Sequence, residues 1–327
     1  MKRLILNLVL FLFIFALIQG FFAYTFESRS GRSRLIDIGF RLRRPFILPL
    51  TDENVEAYFN RRYEINTNPI TIPSSFRSNA TLTSFEALDV VVFDTKETTE
   101  QVIIYLHGGS YVNPPSWIHF HFLSRLQAQY PTVICMPLYP RAPNATVTDA
   151  LEALNLFYEE LRQTHPTQSM VLMGDSAGAS LALAWTLERL EQEEEGPATL
   201  VMISPWLNLA LDHPEIEAVK PFDSVLNPPA AVYLGNAWRG DVPIDDPRVS
   251  PLFGELERLT MPMKLVMGEY DVLRPDAEVF AQEAARLNLD LTFEVSPYML
   301  HVYPLFPFLP EAQQSLEAIV AFLEEAS

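Results

Sequence analysis

From Ala87 onward the chain alternates short apolar runs with longer stretches whose apolar residues recur at helical spacing. Val90 to Phe93, Val102 to Leu106 and Val133 to Met136 have strand length, as do Met170 to Met173, Leu200 to Ile203, Lys264 to Met267 and Thr292 to Val295. Between several of them, Phe122 to Gln129, Thr148 to Arg162, Ala177 to Leu190 and Asp276 to Leu287 carry helical patterns. Short continuous apolar runs alternating with helices predict an α/β protein, with a mostly parallel central sheet covered by helices on both faces. Ligands of such sheets bind at the carboxyl ends of the strands.

Two stretches interrupt this rhythm. Residues 27–85 are arginine-rich and then mixed, and an insertion from about 207 to 251 carries prolines at 214, 221, 228, 229, 243, 247 and 251. Segments this long without a regular pattern usually carry function, so both are expected to fold over the carboxyl edge of the sheet as a cap or lid. Within the first, Thr51-Asp52-Glu53-Asn54 reads as a helix start before Val55, Tyr58 and Phe59.

Ahead of both, Leu4 to Phe26 is almost continuously apolar and follows Lys2 and Arg3. That length spans a bilayer, and the segment lacks the small-x-small site of a cleaved signal, so residues 1–26 are expected to be a single-pass anchor, with a signal peptide as the alternative. Arg29, Arg32, Arg34, Arg41, Arg43 and Arg44 follow the segment and lean towards a cytoplasm-facing domain. The expected organisation is therefore an anchor (1–26), a linker and cap segment (27–85) and a catalytic domain (86–327).

Composition narrows the partners. With 23 basic and 41 acidic residues the net charge is −18, which makes nucleic acid an unsuitable partner. The one cysteine, Cys135, lies in an apolar run, so neither an intrachain disulfide nor a cysteine-rich metal site is expected.

The candidate chemistry gathers at strand ends. Val171-Leu172-Met173 leads into Gly174-Asp175-Ser176-Ala177-Gly178 and then a helix, so Ser176 falls on a strand-to-helix turn where flanking glycines allow a sharp reversal. His107-Gly108-Gly109-Ser110 follows another strand, and its backbone N–H groups, with that of Ala177, would form an oxyanion hole. A serine needs a base and the base needs a carboxylate. Of the six histidines, only His301 follows the last predicted strand, and Asp271 ends the strand before it. Asp276, after Pro275, fits the cap of the next helix.

These motifs, with Ser204-Pro205-Trp206 and Asp246 to Leu252, resemble the hormone-sensitive lipase-like branch of the α/β-hydrolases, from about Val90 to the C-terminus. The resemblance implies Ser176 as nucleophile, Asp271 as acid and His301 as base, with oxyanion donors at Gly109, Ser110 and Ala177. Ser110 stands where the family has glycine. The implied activity is hydrolysis of small-molecule carboxylic esters with short-chain acyl or acetyl groups through an acyl-serine intermediate, without metal or organic cofactor. A peptidase of related fold and a catalytically silent binding module are the alternatives.

Overall fold

In the computed structural model, eight strands form one sheet: β1 (Thr81–Ser84), β2 (Asp89–Phe93), β3 (Gln101–Leu106), β4 (Val133–Pro137), β5 (Ser169–Asp175), β6 (Thr199–Ile203), β7 (Met263–Gly268) and β8 (Leu291–Ser296). Their order is β1-β2-β4-β3-β5-β6-β7-β8, with β2 antiparallel to β1 and β4 and the remaining pairs parallel. The structure describes residues 2–43, 50–95 and 100–326, and side chains in the first helix at Leu12 and from Ile14 to Thr25.

The unbroken apolar runs reflect burial on both faces. Val102, Ile104 and Leu106 of β3 join one core cluster while Ile103 and Tyr105 join the other, as the two-residue period of a strand requires. Helices α5 (Val147–Thr164), α6 (Ala177–Glu191) and α9 (Arg274–Leu287) contribute to the first cluster. Helices α4 (Trp117–Gln129) and α10 (Pro310–Glu325) contribute to the second. The chain runs from β4 on one side of β3 to β5 on the other, so the carboxyl ends of β3 and β5 meet where the strand order reverses, the usual ligand position in such sheets.

The segments outside this rhythm are partly helical. They comprise α1 (Lys2–Phe26), α2 (Gly31–Arg43) and α3 (Val55–Thr67), with α7 (Ile216–Val219) and α8 (Pro228–Arg239) in the insertion. Pro228 and Pro229 open α8, where missing N–H groups cost nothing, and Asn227 accepts from Ala230 N (3.3 Å). Asp276 is not the cap of α9: the helix begins at Arg274, leaving Asp276 buried in its first turn.

Gly20 and Gly31 let α1 and α2 approach closely, since a Cβ on Gly31 would lie 2.8 Å from Gly20 Cα. Among the described residues, no helix is long and apolar enough to cross a membrane. The side chains of residues 1–11, 13 and 26, half of the expected 26-residue anchor, lie outside the described set, as do residues 44–49 and 96–99.

Gly178 packs against β3 so closely that a Cβ there would lie 2.0 Å from Leu106 O and 2.5 Å from His107 O. Gly178→Ala is therefore expected to destabilise the protein by about 3 kcal/mol or more. Urea denaturation reads this directly, and an unchanged midpoint would contradict the packing argument.

Candidate active site

The turn between β5 and α6 holds Ser176 at φ 52°, ψ −123°, a strained conformation for a residue with a side chain. It persists because its neighbours determine it: Ser176 N donates to Ile203 O (2.8 Å), and a Cβ on Gly174 would lie 2.7 Å from Leu106 O. The reversal points Oγ above the sheet edge. There it meets His301 Nε2 at 3.0 Å, and His301 Nδ1 lies 2.8 Å from Asp271 Oδ2. A carboxylate only accepts, so the ring proton belongs on Nδ1, leaving the Nε2 lone pair for the serine hydroxyl. All three side chains are enclosed, with Ser176 7% exposed, His301 3% and Asp271 fully buried.

The loops carrying His301 and Asp271 are themselves fixed. Val302, at φ 49°, donates its N–H to Ser204 Oγ (3.0 Å), and Ser204 sits at φ 48° beyond β6. Leu273 N donates to Asp271 Oδ1 (3.0 Å). Val272 N donates to Asp223 Oδ2 (3.0 Å), so the insertion supplies a second buried carboxylate beside the first. Burial and the Asp271 charge push the Asp223 carboxyl up to about 6. For His301, burial works to lower the pKa, but the charge and hydrogen bond of Asp271, with smaller contributions from Asp223 and Asp175, raise it above its ordinary 6.5.

The turn after β3 faces the same point. Gly109, Ser110 and Tyr111 all have positive φ, at 125°, 55° and 62°. Ser110 thus occupies the left-handed region that glycine prefers, which accounts for the glycine usual there. Asp175, the residue before Ser176, holds this turn: its Oδ1 accepts from Gly108 N (2.9 Å) and Tyr105 Oη (2.7 Å) and lies 3.4 Å from His119 Nε2. Burial raises the Asp175 pKa, and His119, Tyr105 and the Gly108 N–H together outweigh it, keeping the carboxylate below its usual range. His119 Nδ1 accepts from Ser116 N (2.9 Å), which puts its proton on Nε2, facing Asp175.

His107 is a structural member of this turn. Its Nδ1–H donates to Gly108 O (2.7 Å), its ring stacks on Tyr139 at 4.6 Å, and burial lowers its pKa to about 3. Of the supporting groups, Asp175 and Ser204 stand inside motifs visible in the sequence. Tyr105, His119 and Asp223 carry no local signal. Among the described residues, no group of three or more His, Cys, Asp or Glu side chains is placed to hold a metal ion.

A nucleophile, base and acid hydrogen-bonded in series at the strand ends of an α/β sheet define a serine hydrolase. A family model described as alpha/beta hydrolase fold matches residues 103–305, and the chain belongs to that family. It is 32% identical to an acetyl-hydrolase of Streptomyces hygroscopicus over 69% of this chain and 76% of that protein. It is 29% identical to an esterase of Acinetobacter venetianus over 68% and 74% of the two chains. The structure of a hormone-sensitive lipase from a metagenome library has the same fold, with a TM-score of 0.75 at 20% identity, covering 90% of this chain and 99% of that one.

Two measurements test this geometry. The His301 imidazole should titrate above 6.5 in NMR spectra, and Asp271→Asn should bring it down, because removing the negative charge disfavours the protonated ring. A midpoint that rises in the variant would contradict the pairing. Ser110→Gly should relieve left-handed strain and stabilise the fold by about 1 kcal/mol, whereas a lowered unfolding midpoint would show that the serine side chain holds the turn.

Proposed function

We propose that the chain hydrolyses carboxylic esters with short acyl groups through an acyl-serine intermediate. The observation that carries this reading is the relay from Asp271 through His301 to Ser176 beside the glycine turn. Ser176 Oγ attacks the ester carbonyl as His301 Nε2 takes its proton, while Asp271 holds the ring and stabilises its charged form. The N–H groups of Gly109, Ser110 and Ala177 receive the oxyanion. The tetrahedral intermediate collapses, His301 returns the proton to the leaving alcohol, and water then repeats the sequence on the acyl-enzyme.

The preference for short acyl groups is supported by the acetyl-hydrolase relative and by the enclosure of Ser176. Among the described residues of the two interrupting segments, which exclude Phe46, most aromatic side chains pack instead of lining a cleft. Trp238 is fully buried and stacks on Tyr111 at 4.5 Å, Phe40 packs edge-on to Phe306, and Tyr58 and Phe59 pack against the main core. Phe222 is different: it is 47% exposed and stacks on Tyr270 at 5.1 Å, next to Asp271.

The proposal includes membrane attachment through residues 1–26. Supporting it are a helix of 25 residues and the exposed apolar side chains Leu12, Leu17 and Phe21 on it. A cytoplasmic orientation of the catalytic domain is supported by the arginines that follow. Protease added to intact cells should leave the domain protected, and its digestion would reverse the orientation.

Across aryl esters from acetyl to palmitoyl, kcat/KM is expected to peak at short chains and fall by roughly 10-fold to 200-fold per step near the limit. A peak at long chains would replace this reading with a lipase-like groove. Ser176→Ala should abolish both turnover and labelling by a fluorophosphonate, and labelling that persists would remove Ser176 as nucleophile. Activity should rise with pH through a midpoint above 6.5, since only neutral His301 accepts the proton and its pKa is raised.

A further inference from the structure

Arg29 lies at the junction of α1 and α2, far in sequence from the site, yet only 8% of it is exposed. Its Nε pairs with Glu27 (2.7 Å), and its Nη1 lies 3.5 Å from Asp37 and donates to Tyr298 O at 3.1 Å. The guanidinium carbon is 5.8 Å from the ring centroids of both Tyr270 and Tyr298, which meet edge to face at 5.6 Å. Tyr270 directly precedes Asp271, and Tyr298 comes three residues before His301.

The two loops are also tied to each other. Tyr270 N donates to Met299 O (2.9 Å), and Tyr298 N donates to Glu269 Oε2 (2.7 Å) while Tyr298 itself is held at φ 59°. Arg29 therefore sits on the outer side of a paired structure whose inner side presents the acid and the base. The other end of α2 repeats the arrangement: Arg41 donates to Pro221 O (3.0 Å) and Phe222 O (2.6 Å), and Asp223, the next residue, holds Val272 N. Ser30 fastens the junction to α10 through Glu311, whose Oε2 accepts from Ser30 Oγ at 2.9 Å.

We infer that Arg29 is a positioning residue for the triad, clamping the Asp271 and His301 loops in register from the segment that follows α1. The inference rests on the assignment of Asp271 and His301 as acid and base. A guanidinium suits this place because its planar fork meets carboxylates and a carbonyl while its faces lie on aromatic rings. Loosening it separates Asp271 from His301, and the lost attraction lowers the His301 pKa, which Asp271, Asp223 and Asp175 raise.

The test uses the full chain in detergent, with active sites counted by fluorophosphonate labelling, so that failure of the nucleophile assignment appears as absent labelling and is separate from failure of the clamp. Arg29→Gln is expected to lower kcat per labelled site by about 10-fold, with KM for an aryl acetate changed less than about twofold. The acidic midpoint of the pH profile should move down. Wild-type kcat and midpoint per labelled site, with or without a lower melting temperature, would overturn the inference and leave Arg29 a purely structural contact. If Arg29→Gln does not fold, Arg29→Lys carries the same test, since it keeps the charge facing Glu27 and Asp37 but loses the fork that reaches Tyr298 O. A lower kcat and midpoint in Arg29→Lys support the clamp, and wild-type values refute it.

Discussion

The approach of the Gly174 to Gly178 turn to the end of β3, backbone against backbone, is the constraint on which the site depends. At both glycines a Cβ would fall within 2.7 Å of Leu106 O or closer. Removing side chains there lets the turn sit low enough that Ser176, held in a conformation costing of order 1–3 kcal/mol, lifts only its hydroxyl above the sheet. The same closeness brings Asp175 against Gly108, so that one residue of the elbow fixes the neighbouring glycine turn. The Ser176 elbow and the glycine turn after β3 are thus positioned by a single contact between two strand ends.

The base and acid arrive from loops that have no such backbone contact, and their geometry is imposed by polar side chains. Val302 is β-branched and sits at φ 49°, an outlying conformation for its type. Ser204 Oγ holds it there, which places a second serine in the site with a purely supporting part. Around the imidazole stand three buried carboxylates, Asp271, Asp223 and Asp175. Enclosure alone would make His301 a weaker base. The carboxylates reverse that effect and favour the imidazolium formed as the serine attacks, when its stabilisation counts most.

The sheet and the chemistry-bearing residues were legible in the sequence for the same reason. Strands buried on both faces read as unbroken apolar runs, and residues with chemistry stand where those runs end. Ser176, Asp271 and His301, far apart in the chain, were singled out in this way, and the fold brings them into hydrogen-bonding reach. What the pattern hides is equally physical. Strand β1 (Thr-Leu-Thr-Ser) is an exposed edge whose single apolar residue, Leu82, makes no pattern. Helix α8 begins with two prolines that read as a loop when their position in a first turn is unknown. Asp223 and Arg29 act across 49 and 269 residues, and separations of that kind leave no local spacing to detect.

The chemistry of the contact between α2 and the triad loops follows from where it lies. Burying a guanidinium is costly, and an apolar cluster of equal size would pack at least as favourably. Helix α1, however, which leads into this junction, carries Leu12, Ile14, Leu17, Ile18, Phe21 and Phe22 in exposed positions. Apolar contacts are non-directional, so an apolar junction next to so much apolar surface would tolerate sliding of one helix against the loops. A hydrogen bond to Tyr298 O at 3.1 Å and ion pairs to Glu27 and Asp37 have fixed lengths and directions. They convert the position of the chain leaving α1 into a single register for the loops that hold acid and base, and register at that point is what the relay through His301 requires.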